Sequence, residues 1–203
     1  MQELLTSVPP ERLVAFLATG VLLNLTPGAD VAFATASGLR GGPRAGILAG
    51  LGVGLGGLWH AGLAAVGVSA LLAANPAALT LLRWAGAVYL LWLAWGAWRS
   101  APASAGTGSG HPFWRGVVTN ALNPKVALFV LAFLPQFTDP ASGPVWQQIL
   151  LLGALFSMTG AVITAGYGAL AGTLGKAIGA RMGIVNRLAA VVYAGLALRL
   201  VWR

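Results

Sequence analysis

The sequence predicts an all-α polytopic membrane protein. Six transmembrane helices are expected in two inverted three-helix repeats, with broken helices at Pro27 and Pro124. Three observations lead there. Of the 203 residues 58% are hydrophobic and 8% charged, with a mean hydropathy of +0.82, whereas a soluble domain carries about a quarter charged residues. Apolar stretches of roughly 20 residues, enough to cross a bilayer as a helix, recur along the chain. A proline-centred interruption appears once in each half. Lipid admits only helices and closed barrels, and no two-residue alternation suggests a barrel.

Residues 1–10 form a short polar segment in which Pro9-Pro10 lead into the first helix. Met1-Gln2-Glu3 lacks the basic start of a signal peptide, so the first apolar run is expected to be a retained span. Span one covers about 12–39. Pro27 has no N–H, so a helix through it leaves the Leu23 carbonyl without its usual partner, and Gly28 weakens continuity further. A second half-helix is expected to start there, with Asp30 in its first turn, where the backbone dipole favours negative charge. Asp30 is the only ionisable side chain between Leu13 and Leu39.

A turn follows at Gly41-Gly42-Pro43, between Arg40 and Arg44. Span two, about 45–73, carries His60 as its only ionisable group. Gly46, Gly50 and Gly54 recur every four residues, with Gly52 and Gly56 beside them, a pattern that lets helix backbones approach closely. Asn75-Pro76 ends it. Span three, about 77–98, holds Trp84, Trp92, Trp95 and Trp98, which are expected in the interfacial belt. Residues 100–112 are rich in Gly, Ser, Pro and Ala and read as a flexible linker. They divide a first repeat, 1–99, from a second, 113–203, within one integral membrane domain. Span four, about 114–137, contains Asn120, Asn123, Pro124 and Lys125. Span five, about 145–174, repeats small residues at Gly160, Thr164, Gly168 and Gly172. Span six is about 184–202.

Gly20-Val21-Leu22-Leu23-Asn24 and Gly116-Val117-Val118-Thr119-Asn120 share Gly-Val, two residues, then Asn, and each is followed by a proline. Pro124 frees the Asn120 carbonyl as Pro27 frees that of Leu23. Three spans per half is odd, so the halves insert oppositely, the plan of secondary transporters whose site lies where broken helices face each other. The formal charge of +8 does not indicate nucleic-acid binding, because the basic residues are scattered at span ends. With the N-terminus outside, inward loops carry seven (Arg40, Arg44, Arg99, Arg115, Lys176, Arg181, Arg187) and outward ends four (Arg12, Arg83, Arg199, Arg203). That bias favours both termini outside. Without cysteine there is no disulfide framework or thiolate site.

Asn24-Leu25-Thr26-Pro27-Gly28-Ala29-Asp30 is similar to the Pro-Gly-Pro-Asp signature of the LysE/RhtB amino-acid exporters, with Ala29 where the signature has its second proline. Gly41 to His60 resembles that family's glycine-rich segment. Asn123-Pro124-Lys125 and Pro135-Gln136-Phe137 resemble its Asn-Pro-Lys and Pro-Gln-Phe segments. The resemblance runs from about residue 12 to the C-terminus. It implies a bacterial inner-membrane exporter of amino acids or close derivatives driven by the proton gradient, not an enzyme, and without a cofactor. The expected partners are an amino acid, protons and the lipid bilayer, with a homo-oligomer left open.

Asp30 is the leading candidate for a coupling or amine-binding carboxylate. A charge at mid-helix costs about 2.5–3.5 kcal/mol on insertion scales, so a partner is expected. Lys125 is read either as that partner, as a binder of the substrate carboxylate, or as a lysine snorkelling inward. Asn24, Asn120 and Asn123 could present amides to a zwitterion or satisfy the carbonyls freed by the prolines. His60 reads as a packed, hydrogen-bonded histidine before a proton relay. Four acidic residues scattered along the chain offer no metal cluster. Ser37, Ser69 and Ser157 have no positioned base to make a nucleophile. Asp30 being the only acid within a span, a neutral amino acid is expected. The competing reading is a membrane scaffold that retains the fold without transport, and it gains nothing from paired asparagine–proline breaks.

Overall fold

The structure, a computed structural model, describes residues 8–74, 77–99, 110–175 and 182–202. The described residues are helical almost throughout, without strands. Helix α1 is Pro10–Leu25, α2 Ala29–Ala74, α3 Ala77–Arg99, α4 Pro112–Ala121, α5 Pro124–Phe133, α6 Val145–Leu174 and α7 Met182–Val201. Short 3-10 turns at Leu134–Phe137 and Pro140–Ser142 join α5 to α6. Lys176, Arg181 and the linker residues 100–109 lie outside the described residues, as do Asn75-Pro76.

Both expected breaks are present. α1 ends at Leu25 and α2 begins at Ala29, with Asp30 in its first turn. α4 ends at Ala121, and α5 begins at Pro124 with proline in its first turn, where its missing N–H leaves no extra orphan. The α4–α5 pair bends by 53°.

Helix α2 is two arms, 29–41 and 43–74. Gly42 between them has φ 74° and ψ −178°, a backbone that L side chains rarely adopt. A Cβ added at Gly38 or at Gly46, four residues to either side, would run into the same residue, Gly168 of α6. The chain therefore doubles back at Gly42. Ala29–Gly67 and Val145–Leu174 are long and apolar enough to cross a membrane, and the bent pair Pro112–Ala121 with Pro124–Phe137 passes the same test only when taken as one span. The 39-residue run Ala29–Gly67 contains the reversal. Straight, it would extend about 58 Å, twice the hydrocarbon thickness, so its two arms share that length.

Glycine sets the packing. Along the second arm Gly46, Gly50, Gly54 and Gly57 meet Gly168, Ala165, Ala161 and Ser157 of α6 in descending order, and Ala61 meets Gly153. The two helices are thus antiparallel and nearly in backbone contact, as the four-residue spacing required. Gly52 and Gly56 open a second face, which receives Phe113, Val117 and Asn120 of α4. Gly86 of α3 touches Ala132 and Leu200, tying α3 to α5 and α7. Around these contacts the buried aromatics close the core: Phe129 stacks on Phe133 at 4.8 Å and lies 4.9 Å from Phe156, and Phe16 meets Phe137 edge-on at 5.4 Å.

Trp84, Trp92, Trp95 and Trp98 of α3 are all more than half exposed, and the last three fall toward its C-terminal end at Arg99. They cover the outward face of α3 with Leu81, Val88 and Leu91.

Candidate functional site

The two breaks meet inside the bundle. Asp30, 9% exposed, accepts through Oδ2 from Asn120 Nδ2 at 2.8 Å and Asn123 Nδ2 at 2.9 Å. A carboxylate only accepts, so both amides turn their nitrogen toward it. Asn123 serves two helices. Its Oδ1 accepts from the Lys125 backbone N–H at 3.0 Å, capping α5, while its amide reaches Asp30 at the start of α2. The carboxylate also sits at a helix N-terminus, where the dipole favours its charged form.

Lys125 does not pair directly with Asp30. Its ammonium donates to the Thr26 carbonyl at 2.8 Å, Thr26 Oγ1 at 2.9 Å and the Leu23 carbonyl at 3.0 Å. All three N–H donors are consumed at the C-terminal end of α1, where carbonyls are unpaired and the dipole favours a cation. The ion pair with Asp30, one of the readings the sequence left open for Lys125, gives way to carbonyl capture. Gly28 makes room for it: a Cβ there would fall 3.3 Å from Lys125 Cδ and 3.5 Å from Nζ. The Tyr193 ring lies 5.3 Å from the ammonium, and its hydroxyl accepts from Thr26 Oγ1 at 2.9 Å and donates to the Pro27 carbonyl at 3.3 Å.

The second break is served in the same way. The Asn120 carbonyl, freed by Pro124, accepts from His60 Nε2 at 2.9 Å. Because a carbonyl cannot donate, the proton is on Nε2. The asparagine amides therefore do not satisfy the freed carbonyls; basic side chains from neighbouring helices do. Asn24 is apart from Asp30, with its amide donating to the Phe156 carbonyl at 3.2 Å and Thr159 Oγ1 at 3.1 Å of α6.

A cavity of about 20 Å³ lies between the breaks, lined by Asn24, Gly28, Asp30, Asn120, Lys125 and Ser157 among others. It has room for about one water-sized group, against the roughly 300–1,000 Å³ of ordinary ligand pockets. Three buried polar atoms of its lining residues have no hydrogen-bond partner: Asp30 Oδ1, Asn120 Oδ1 and Ser157 Oγ. Thr26, Tyr193 and Ser157 were missed as site residues in the sequence. Ser157 carried a signal, since Gly153, Ser157, Gly160 and Thr164 extend the small-residue ladder backwards. Among the described residues no group of three or more His, Cys, Asp or Glu could hold a metal.

The sequence matches the LysE type translocator family over residues 21–203. The chain belongs to that family. LysE translocators are transporters, not enzymes. A membrane protein of Vibrio cholerae serotype O1 is 35% identical over 171 residues, covering 81% of this chain and 83% of its own length. A homoserine/homoserine lactone efflux protein of Salmonella typhimurium is 37% identical over 165 residues, covering 77% and 79%. A leucine efflux protein of Enterobacter sp. is 30% identical over 150 residues, covering 70% and 71%. No solved structure matches.

Proposed function

We propose that this protein is a secondary transporter that exports neutral amino acids or close derivatives across the bacterial inner membrane in exchange for protons. Relatives named for homoserine and leucine efflux support the substrate class. The observation that carries the reading is the meeting of both helix breaks at a buried carboxylate with one unpartnered oxygen. Ionisable groups at membrane depth are costly, and they mark substrate or proton paths. Asp30 carries the exchanged proton; Asn120 and Asn123 hold it in place; Lys125 and His60 keep the two breaks folded; Asn24 fastens α1 to α6. The carboxyl is too confined in this conformation to admit an amino acid, so transport requires the breaks to part.

The proposed frame is six spans in two inverted repeats, 1–99 and 113–203. Gly20 of α1 lies against Phe156 of α6, while Gly116 of α4 lies against Ala49 and Val53 of α2. Each broken helix thus leans on the laddered helix of the opposite half, as an inverted pair would. The basic-residue bias favours both termini outside.

The test is Asp30→Asn, which keeps size and hydrogen-bonding capacity but cannot titrate. In proteoliposomes with an imposed proton gradient the variant should insert normally, lose uphill export of leucine or homoserine, and lose the dependence of export on external pH. Uphill export at the wild-type rate would exclude Asp30 as the coupling group.

A further inference from the structure

Resting on the transport reading above, we infer that the substrate's primary ammonium is held by three acceptors, Asp30 Oδ1, Asn120 Oδ1 and Ser157 Oγ, and that a proton on Asp30 excludes it. All three atoms are buried without partners, on residues lining one cavity. Asp30 is 9%, Asn120 3% and Ser157 5% exposed. Leaving several polar atoms unmet at one place is costly, and each is left unmet for a visible reason. Asn120 spends its amide nitrogen on Asp30 Oδ2, which turns Oδ1 away. Asp30 takes both of its hydrogen bonds on Oδ2. Ser157 faces Gly57, where an added Cβ would stand 2.5 Å from Oγ.

A primary ammonium offers three N–H donors and no acceptor, which matches in number the three unpartnered acceptors that three different helices bring to the lining of one cavity. The cation lysine ammonium at the same break is fully engaged elsewhere, so it does not compete for these atoms. Apart from Asn24, Lys125 and Thr164, the remaining lining is apolar or glycine, with Val31, Val53, Val126 and Phe156 as its larger side chains. A quaternary ammonium brings no N–H, and a hydroxy acid brings one hydroxyl in place of three charged donors.

The exclusion follows from charge. When Asp30 is ionised it attracts the ammonium; when protonated it is neutral and its hydroxyl is itself a donor. The same carboxyl then serves proton and substrate in turn, which gives exchange at a single group. The titratable and charged groups facing it are Lys125 from α5 and His60 from α2. The α6 lining contributes Ser157 and Thr164, which do not titrate.

The experiment measures ligand-induced thermal shift and binding by the purified wild-type protein, using n-butylammonium, tetramethylammonium, L-leucine and the 2-hydroxy acid analogue of leucine. The first and third should bind, and the second and fourth should not. Ser157→Ala, which removes one hydrogen bond to a charged donor, should weaken n-butylammonium about ten-fold or more. Gly57→Ala, whose methyl meets Ser157 Oγ, should weaken it as well. Wild-type affinity should fall as pH is lowered, and Asp30→Asn should abolish both binding and that dependence. Equal binding of tetramethylammonium or the hydroxy acid, or wild-type affinity in Ser157→Ala, would overturn the subsite even if leucine is exported. Selective n-butylammonium binding without export of any amino acid would sink the transport reading and leave the subsite standing.

Discussion

The glycine seam between α2 and α6 gives the cleanest quantitative check on the packing. A Cβ at Gly50 would lie 2.8 Å from Ala165 Cβ and nearer still to that residue's backbone. Carbon atoms rest at about 3.5–4.0 Å, so the helices must part by about 1 Å. The seam runs from Gly46 to Ala61. Some tens of atom pairs at about 0.1–0.2 kcal/mol each lose a quarter to a half of their attraction at such a gap, or about 1–3 kcal/mol in all. Overpacking of soluble cores costs about the same. Gly62, in the same helix, has nothing within 4 Å of its added Cβ. Gly50→Ala and Gly62→Ala share the gain in helix propensity, so their difference isolates the clash. At about 2–4 °C per kcal/mol for a chain of this size, Gly50→Ala should melt about 3–10 °C below Gly62→Ala. The assay is melting of detergent-solubilised protein followed by size-exclusion chromatography. Equal melting of the two variants would refute backbone contact along this seam.

Two further substitutions test how the breaks are held. Lys125→Met should lower stability by about 1–3 kcal/mol, because the Thr26 carbonyl loses its donor, while that of Leu23 keeps the Thr26 N–H at 3.1 Å; an unchanged melting temperature would contradict that role. His60→Leu should cost less, about 1 kcal/mol, because the Asn120 carbonyl keeps a bond from the Asn123 N–H at 2.8 Å; a loss larger than that of Lys125→Met would reverse the order argued here.

Much of the fold was legible because proline and glycine act locally. Pro27 and Pro124 mark their breaks by chemistry that no tertiary context repairs. Gly42 marks a reversal because few other residues accept its backbone. The ladder Gly46, Gly50, Gly54 named the packed face, although it could not name the partner. Its partner proved to be the helix of the second ladder, but mostly through other residues: Gly168, Ala165, Ala161 and Ser157 face it, while Gly160 faces Asn24.

The roles of the polar residues were the least legible, and hydrogen-bond accounting explains why. A proline tells which carbonyl loses its partner, but the replacement comes from wherever the chain folds next to it. Leu23 and Asn120 were identified as the orphaned acceptors, and three asparagines stood nearby to serve them. The donors came instead from residues far along the chain: Lys125 is 102 residues from Leu23, and His60 is 60 from Asn120. Taking those carbonyls with basic groups releases the amides of Asn120 and Asn123 for Asp30. Had the asparagines served the breaks, the carboxylate would have been buried without donors, at a cost of several kcal/mol. The assignment of Lys125 and His60 to the backbone therefore goes with the two amides that hold the buried Asp30 carboxyl. It also leaves one carboxylate oxygen open, because two amides on a single oxygen hold the carboxylate without saturating it.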